Sequence, residues 1–196
     1  MKMKLWKSLI IGMFILILVL GMTGCFVLSV HPLYFEKDLV FESGLVGTWG
    51  PKEHEKDLEE LWIFKKSGDK SYRLIVKEKD EGEGMFEAHL LKLGEHLFLD
   101  LYPEEPETTM EFYNMHVIPA HSFMRVSLEG HVLRLAYFDL DWLKKNMEQN
   151  KVTIKHERRD DTIVLTASTE ELQAFVLKHV EEAFIFEEEA ILHRFW

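Results

Sequence analysis

The chain has 196 residues, of which 47% are hydrophobic and 12% aromatic, a composition typical of a globular protein with one sizeable core. Acidic residues outnumber basic ones by 34 to 23, so the formal net charge is -11 and binding to nucleic acid is not expected. The single cysteine, Cys25, excludes an intramolecular disulfide and a thiolate metal cluster.

The first 25 residues have the three-part pattern of a secretory signal peptide. Three lysines come within the first seven positions, an apolar run extends from Leu9 to Leu20, and small residues precede Cys25. The segment Met22-Thr23-Gly24-Cys25 resembles the lipobox of bacterial lipoproteins. This resemblance implies cleavage before Cys25 and acyl chains on that residue, which would be the membrane attachment of an exported protein.

Two consequences of the resemblance depend on the source of the chain. Because Phe26 and not aspartate follows the cysteine, a cell with two membranes would carry the protein in its outer membrane. A cell with one membrane would carry it on the outer face of the plasma membrane. The alternative is an uncleaved membrane span, since residues 8–30 carry no charge and are long enough to cross a bilayer.

After the signal segment, residues 26–44 are interpreted as a tether and residues 45–196 as the folded domain. From Leu45 onward, apolar and polar residues alternate with the period of half-buried strands. Gly94-Glu95 and Glu129-Gly130 are two-residue links that favour hairpins. Strands are predicted near 45–50, 59–66, 71–78, 85–93, 96–102, 121–128, 131–138, 151–157 and 161–166.

Two helices are predicted beside these strands. One covers 140–149 with Asp139 as its N-cap, and the other follows Ser168, which has capping-box spacing to Glu171. Near the end of the chain, residues 184–186 favour a short strand, and residues 190–196 a final helical turn. The fold class is therefore mainly β: an eight- to nine-stranded antiparallel meander closed as a barrel, with two flanking helices.

The motif Gly47-Thr48-Trp49 at the start of the first strand is similar to the Gly-x-Trp motif of lipocalins. The resemblance implies that Trp49 fills the closed end of the barrel and that a late arginine, Arg194 or Arg134, packs across it. It also implies an interior that holds a small lipophilic molecule.

Two pairs of polar residues are candidates for ligand binding. A hairpin at Gly94-Glu95 places His89 opposite Asp100, either in a ligand pocket, as a general-base pair, or as a structural cross-strand hydrogen bond. A hairpin at Glu129-Gly130 places Arg125 opposite Arg134. These arginines would either grip an anionic head group inside the barrel or bridge to the abundant carboxylates.

The sequence predicts a binding module and no enzyme. The histidines lack the spacing of metal ligands, and the chain lacks nucleophile and phosphate-loop motifs, so no metal or cofactor is expected. The leading hypothesis is a lipid-anchored module for a small apolar or amphipathic ligand. The alternatives are an envelope lipoprotein with a solid barrel that binds another protein, and an esterase-like enzyme using His89 and Asp100.

Overall fold

The computed structural model describes residues 27–52, 60–80, 82–104, 114, 116–159, 162–182, 185–186 and 189–195. The predicted signal peptide and Cys25 lie outside these ranges, as does most of the acidic loop at 103–109. Among the described residues, no helix is long and apolar enough to cross a membrane.

The described part of the chain contains eleven strands and two α-helices. The helices are α1 (Leu140–Glu148) and α2 (Thr169–His179). The strands are β1 (Leu28–Ser29), β2 (Gly47–Gly50), β3 (Glu60–Lys66), β4 (Tyr72–Glu78), β5 (Gly82–Leu93), β6 (His96–Pro103), β7 (His121–Glu129), β8 (Val132–Tyr137), β9 (His156–Arg159), β10 (Thr162–Leu165) and β11 (Glu189–Arg194).

Eight of these strands form a closed antiparallel barrel, which confirms the predicted fold class. Strands β2 to β8 pair in chain order, and β11 closes the barrel between β8 and β2. The predicted final helical turn at 190–196 is therefore wrong, because these residues pair with strands on both sides. The strands predicted at 151–157 and 161–166 correspond to β9 and β10, which lie outside the barrel. Strand β9 begins at His156, five residues later than predicted. Ile185 and Phe186 form a buried turn and not a strand.

Alternation along the strands creates two separate apolar cores. The inward-facing side chains fill the barrel and include Trp49, Phe64, Tyr72, Leu90, Leu99, Leu133 and Leu135. The outward-facing side chains of β5 to β8 pack beneath the two helices and β10, in a second core that includes Leu91, Phe98, Phe123, Leu143, Leu172, Val176 and Ile185.

Residues 27–45, here called the N-terminal strap, pack along the barrel. The strap begins as β1, which pairs with the start of β7 and with β10. It then crosses β5, where Leu39 forms a bridge with Leu91 and the Val40 N–H donates to the Leu90 carbonyl at 2.9 Å. Because Val27, Leu33, Leu39 and Leu45 are buried, the segment expected to be a tether is, from residue 27 onward, part of the folded domain.

One hairpin register is confirmed and the other is corrected. Gly94-Glu95 links β5 to β6 and places His89 opposite Asp100, as predicted. The second turn is Gly130-His131 and not Glu129-Gly130, so Arg125 faces Ala136 and Arg134 faces Ser127. Both turns begin with glycine at positive φ, 58° at Gly94 and 60° at Gly130, and this first position is where a type II′ turn needs glycine.

The predicted helix starts are confirmed in detail. The Asp139 carboxylate accepts a hydrogen bond from the Trp142 N–H at 2.5 Å. Ser168 and Glu171 form a reciprocal capping box, with the Glu171 carboxylate accepting from the Ser168 N–H at 2.9 Å. These caps are short-range features, which explains why local spacing predicts them well.

Candidate functional site

The end of the barrel where β2 begins is closed by Trp49 and Arg194. Trp49 is fully buried and its indole N–H donates to the Leu45 carbonyl at 2.8 Å. The Arg194 guanidinium lies 5.5 Å from the centre of the Trp49 ring and donates to the carbonyls of Gly44 and Val46. Of the two arginines considered for this role, Arg194 makes the contact and Arg134 does not lie on this ring.

Next to Trp49, the half of the barrel interior nearer the closed end is filled by large side chains. Tyr72 and Phe64 meet edge to face at 6.3 Å between ring centres. The Tyr72 hydroxyl donates to the Glu42 carbonyl at 3.1 Å and accepts from the Glu42 N–H at 2.7 Å, which fastens the N-terminal strap to the barrel. Burial raises the pKa of Tyr72, so this hydroxyl remains protonated and able to donate.

The opposite end of the barrel contains a cavity of about 260 Å³. Its wall is mainly apolar and includes inward-facing residues of six barrel strands, β3 to β8, together with Val27 and Leu28 of the N-terminal strap. The principal apolar lining residues are Trp62, Val76, Phe86, Leu101, Met124 and Phe138. The barrel is therefore solid at its closed end and hollow at its open end.

Three polar side chains also line this cavity: Glu78, Ser122 and Tyr137. Glu78 lies opposite Glu60 in the β3–β4 ladder. The Glu60 carboxylate accepts a hydrogen bond from the indole N–H of Trp62 at 2.5 Å.

His89 and Asp100 are paired but lie on the outer face of the barrel, beneath the N-terminal strap. Asp100 is 1% exposed and accepts hydrogen bonds from the Leu33 N–H at 2.8 Å and from His121 Nδ1 at 2.7 Å. His89 instead packs against the Tyr34 ring, with centres 4.6 Å apart. The imidazole that Asp100 orients is thus that of His121 and not that of His89.

This arrangement supports a structural role for Asp100 and His121. Ser29, which lies opposite His121 in the β1–β7 register, is fully buried and donates its hydroxyl to the His31 carbonyl at 2.7 Å. Its hydroxyl is therefore occupied within the strap. The geometry of Asp100 and His121 joins the strap to β6 and β7.

Arg125 and Arg134 also lie on the outer face, so the alternative that placed them inside the barrel is wrong. Both are half-buried, and the Arg125 guanidinium lies 5.7 Å from the centre of the Phe186 ring. The face assignment follows from alternation, because their neighbours Met124, Val126 and Leu135 belong to the barrel interior. A ligand-binding role for these arginines, and for His89 and Asp100, stays a prediction.

Tyr34 gives the Asp100 cluster a measurable pH dependence. Burial, followed by the charges of Asp100, Glu87 and Glu36, raises the pKa of Tyr34 to about 12. An unfolded tyrosine ionises near pH 10, so its contribution to stability is present below pH 10 and is lost as the pH rises toward 12.

We expect Tyr34→Phe to remove part of this alkaline loss. Tyr72, whose pKa is also raised by burial, should still contribute its part of the alkaline loss of stability in this variant. The measurement is the free energy of unfolding against pH, together with phenolate absorbance of the folded protein. An unchanged alkaline slope in the variant would contradict the assignment.

Sequence reasoning missed most of the residues that line the cavity. Trp62, Glu78 and Tyr137 each fit the inward period of a predicted strand, and this pattern was the available signal. Their convergence at one end depends on barrel closure by β11. His121, the partner of Asp100, carries no local signal because the two residues meet across β6 and β7. Within the described residues, no group of three or more histidine, cysteine or acidic side chains is placed to hold a metal ion.

Comparison of the chain with protein-family models, with curated proteins and with solved structures finds no match.

Proposed function

We propose that this protein is a lipid-anchored binding module that holds a small apolar or amphipathic molecule in the open end of its barrel. The observation that carries the proposal is the cavity of about 260 Å³, with its apolar wall and few polar groups. Small-molecule sites have this character, since apolar surface supplies affinity and a small number of polar groups sets orientation.

The volume of the cavity limits the size of the ligand. A cavity of about 150 Å³ holds a molecule the size of benzene, and sites for drug-sized ligands begin near 300 Å³. The open end therefore suits a short alkyl chain or a compact ring system. Glu78, Ser122 and Tyr137 are the polar residues of the wall that would orient its head group.

The alternative function is an interaction module with a solid barrel. The filled half of the interior favours it, because Trp49, Phe64, Tyr72 and Leu74 are all buried there. A protein that only displays its outer surface has no need of a hollow end, so a binding measurement separates the two functions.

Ser122→Leu tests ligand binding by filling the cavity. Ser122 lines the cavity, whereas Ser127 lies five residues along the same strand on its outer face, so Ser127→Leu is the matched control. Titration with the uncharged fluorophore N-phenyl-1-naphthylamine, displaced by decanol, measures occupancy. We expect Ser122→Leu to weaken binding at least about tenfold, by loss of about 1.4 kcal/mol or more of apolar contact.

The control variant should bind like the unmodified protein. Equal binding by Ser122→Leu would mean that the fluorophore sits elsewhere on the protein. An absence of saturable binding in the unmodified protein would favour the solid interaction module.

Cys25→Ser tests the anchor. Removal of the only sulfur that can carry diacylglycerol should abolish incorporation of labelled palmitate and either release the domain or leave the leader uncleaved. Persistent labelling of this variant would contradict anchoring at Cys25. The fold itself should be unaffected, because the residues of both described cores lie from Val27 onward.

A further inference from the structure

Aromatic rings are spread around the cavity at the open end of the barrel. Three inward-facing rings that line it come from strands that are not neighbours in the barrel: Trp62 from β3, Phe86 from β5 and Tyr137 from β8. The strands between and beside them, β4, β6 and β7, contribute the aliphatic side chains of Val76, Leu101 and Met124. A molecule in the cavity is therefore surrounded by rings that approach it from three directions.

Two of these rings are held in place by their surroundings. The Trp62 side chain is buried, and its indole N–H donates to the Glu60 carboxylate at 2.5 Å, which holds the ring in one orientation. The Phe86 ring lies over Gly84, two residues earlier on the same face of β5, where an added Cβ would lie 3.1 Å from the Phe86 Cε2 atom. The glycine thus leaves the room that the Phe86 ring occupies.

The aromatic wall extends beyond Tyr137 into the second core. Phe138 and Phe123 also line the cavity, and their ring centres are 5.7 Å apart. Phe138 packs in turn against the buried Phe186, with ring centres 5.6 Å apart. Core packing therefore fixes the rings on this side of the cavity before any ligand binds.

We propose that the ligand of the open end is a planar aromatic molecule of about two fused rings, held among the rings of Trp62, Phe86 and Tyr137. This inference rests on the proposed binding function and chooses the compact ring system over the alkyl chain. Aromatic rings that stack with an offset or meet edge to face gain attraction beyond the burial of apolar area. The thioether of Met124 is a further favourable neighbour for a ring.

The volume of the cavity agrees with a ligand of this size. A cavity of about 150 Å³ holds a single benzene ring, so a cavity of about 260 Å³ has room for a second fused ring. Ser122 lines the same cavity and offers a hydroxyl to a polar substituent of the ligand. An alkyl chain of equal size would gain the burial of its surface but none of the ring contacts.

The test compares 2-naphthol with its saturated counterpart, decahydro-2-naphthol, which has the same carbon skeleton and the same hydroxyl. The saturated alcohol is the more apolar of the two, so burial alone would favour it. Equilibrium dialysis of the full chain in phosphatidylcholine vesicles, with protein-free vesicles as the blank, measures both affinities. We expect 2-naphthol to bind at least about fivefold more tightly, which corresponds to about 1 kcal/mol.

Phe86→Leu tests whether the rings of the wall cause this preference. The matched control is Phe41→Leu, because Phe41 is also half-buried but stacks on Tyr72 and does not line the cavity. We expect Phe86→Leu to lower the preference for 2-naphthol at least about twofold. Unchanged binding of decahydro-2-naphthol would show that the variant is folded, and Phe41→Leu should keep the full preference.

The possible outcomes separate this inference from the proposed function. Saturable binding of decahydro-2-naphthol that equals or exceeds the binding of 2-naphthol overturns the aromatic ligand and leaves the binding module intact. An absence of saturable binding for both alcohols overturns the binding function together with the inference. A preference for 2-naphthol that Phe86→Leu and Phe41→Leu alter equally would arise outside the described wall, and it overturns the assignment to these rings.

Discussion

Replacing Asp100 by alanine is expected to lower the free energy of unfolding by about 3–5 kcal/mol, a large share of the 5–15 kcal/mol typical of a domain. The buried carboxylate accepts from the Leu33 N–H and from His121, and both donors would lose their partner. An unsatisfied buried donor costs about 1–3 kcal/mol. Urea unfolding of the full chain in mild detergent measures the effect.

The specificity of this prediction rests on two comparisons. Glu87→Ala, on the same face but with a side chain that is 55% exposed, should change the free energy by no more than about 0.5 kcal/mol. A double-mutant cycle of Asp100→Ala with His121→Ala should show a coupling energy of about 1–3 kcal/mol. Additive losses would mean that the two side chains act independently.

Trp49→Ala is expected to cost about 3–5 kcal/mol, the usual range for removal of a buried tryptophan. Trp49 is fully buried at the closed end, where its neighbours Leu45 and Arg194 are held by the strap and by β11. The space left by the indole cannot collapse readily, because the strands around it form a continuous hydrogen-bonded wall. Thermal or urea unfolding followed by far-ultraviolet circular dichroism measures the loss.

Arg194 separates the contribution of the arginine from that of the ring. Arg194→Ala should cost about 2–3 kcal/mol, since it removes a cation–π contact and two charge-assisted hydrogen bonds to carbonyls. Its control is Arg73→Ala, in which a side chain that is 54% exposed loses one ion pair to Glu104 and about 0–1 kcal/mol. Equal effects of the two arginine variants would contradict the role assigned to Arg194.

Asp100 and Arg194 show how the N-terminal strap and the barrel depend on each other. Asp100 holds the strap near its start, and α2 adds a hydrogen bond from Gln173 to the Leu33 carbonyl at 2.8 Å. Tyr72 and Arg194 hold the strap at its end. A pull on the proposed anchor at Cys25 would therefore be transmitted directly to the barrel.

Local sequence patterns predicted the elements of this fold well. The period-two runs correspond to β2 through β8, the Gly94-Glu95 turn set the register of His89 with Asp100, and the caps at Asp139 and Ser168 marked both helix starts. The Gly130 turn was displaced because glycine is required at the first of the two central positions, where its positive φ causes no strain. Each of these features depends on residues close together in the chain.

The amino-acid sequence by itself determined a β-rich domain, a closed-end motif at Gly47-Thr48-Trp49, and the positions of its helices. Only the tertiary structure decided that Glu189–Arg194 is the closing strand, since its alanine, leucine and glutamate residues favour a helix until β2 and β8 offer hydrogen bonds on both sides. The same closure decided that Trp62, Glu78 and Tyr137 meet around a cavity and that Asp100 meets His121. Contacts between residues distant in the chain depend on which strands become neighbours, and that information is absent from any local pattern.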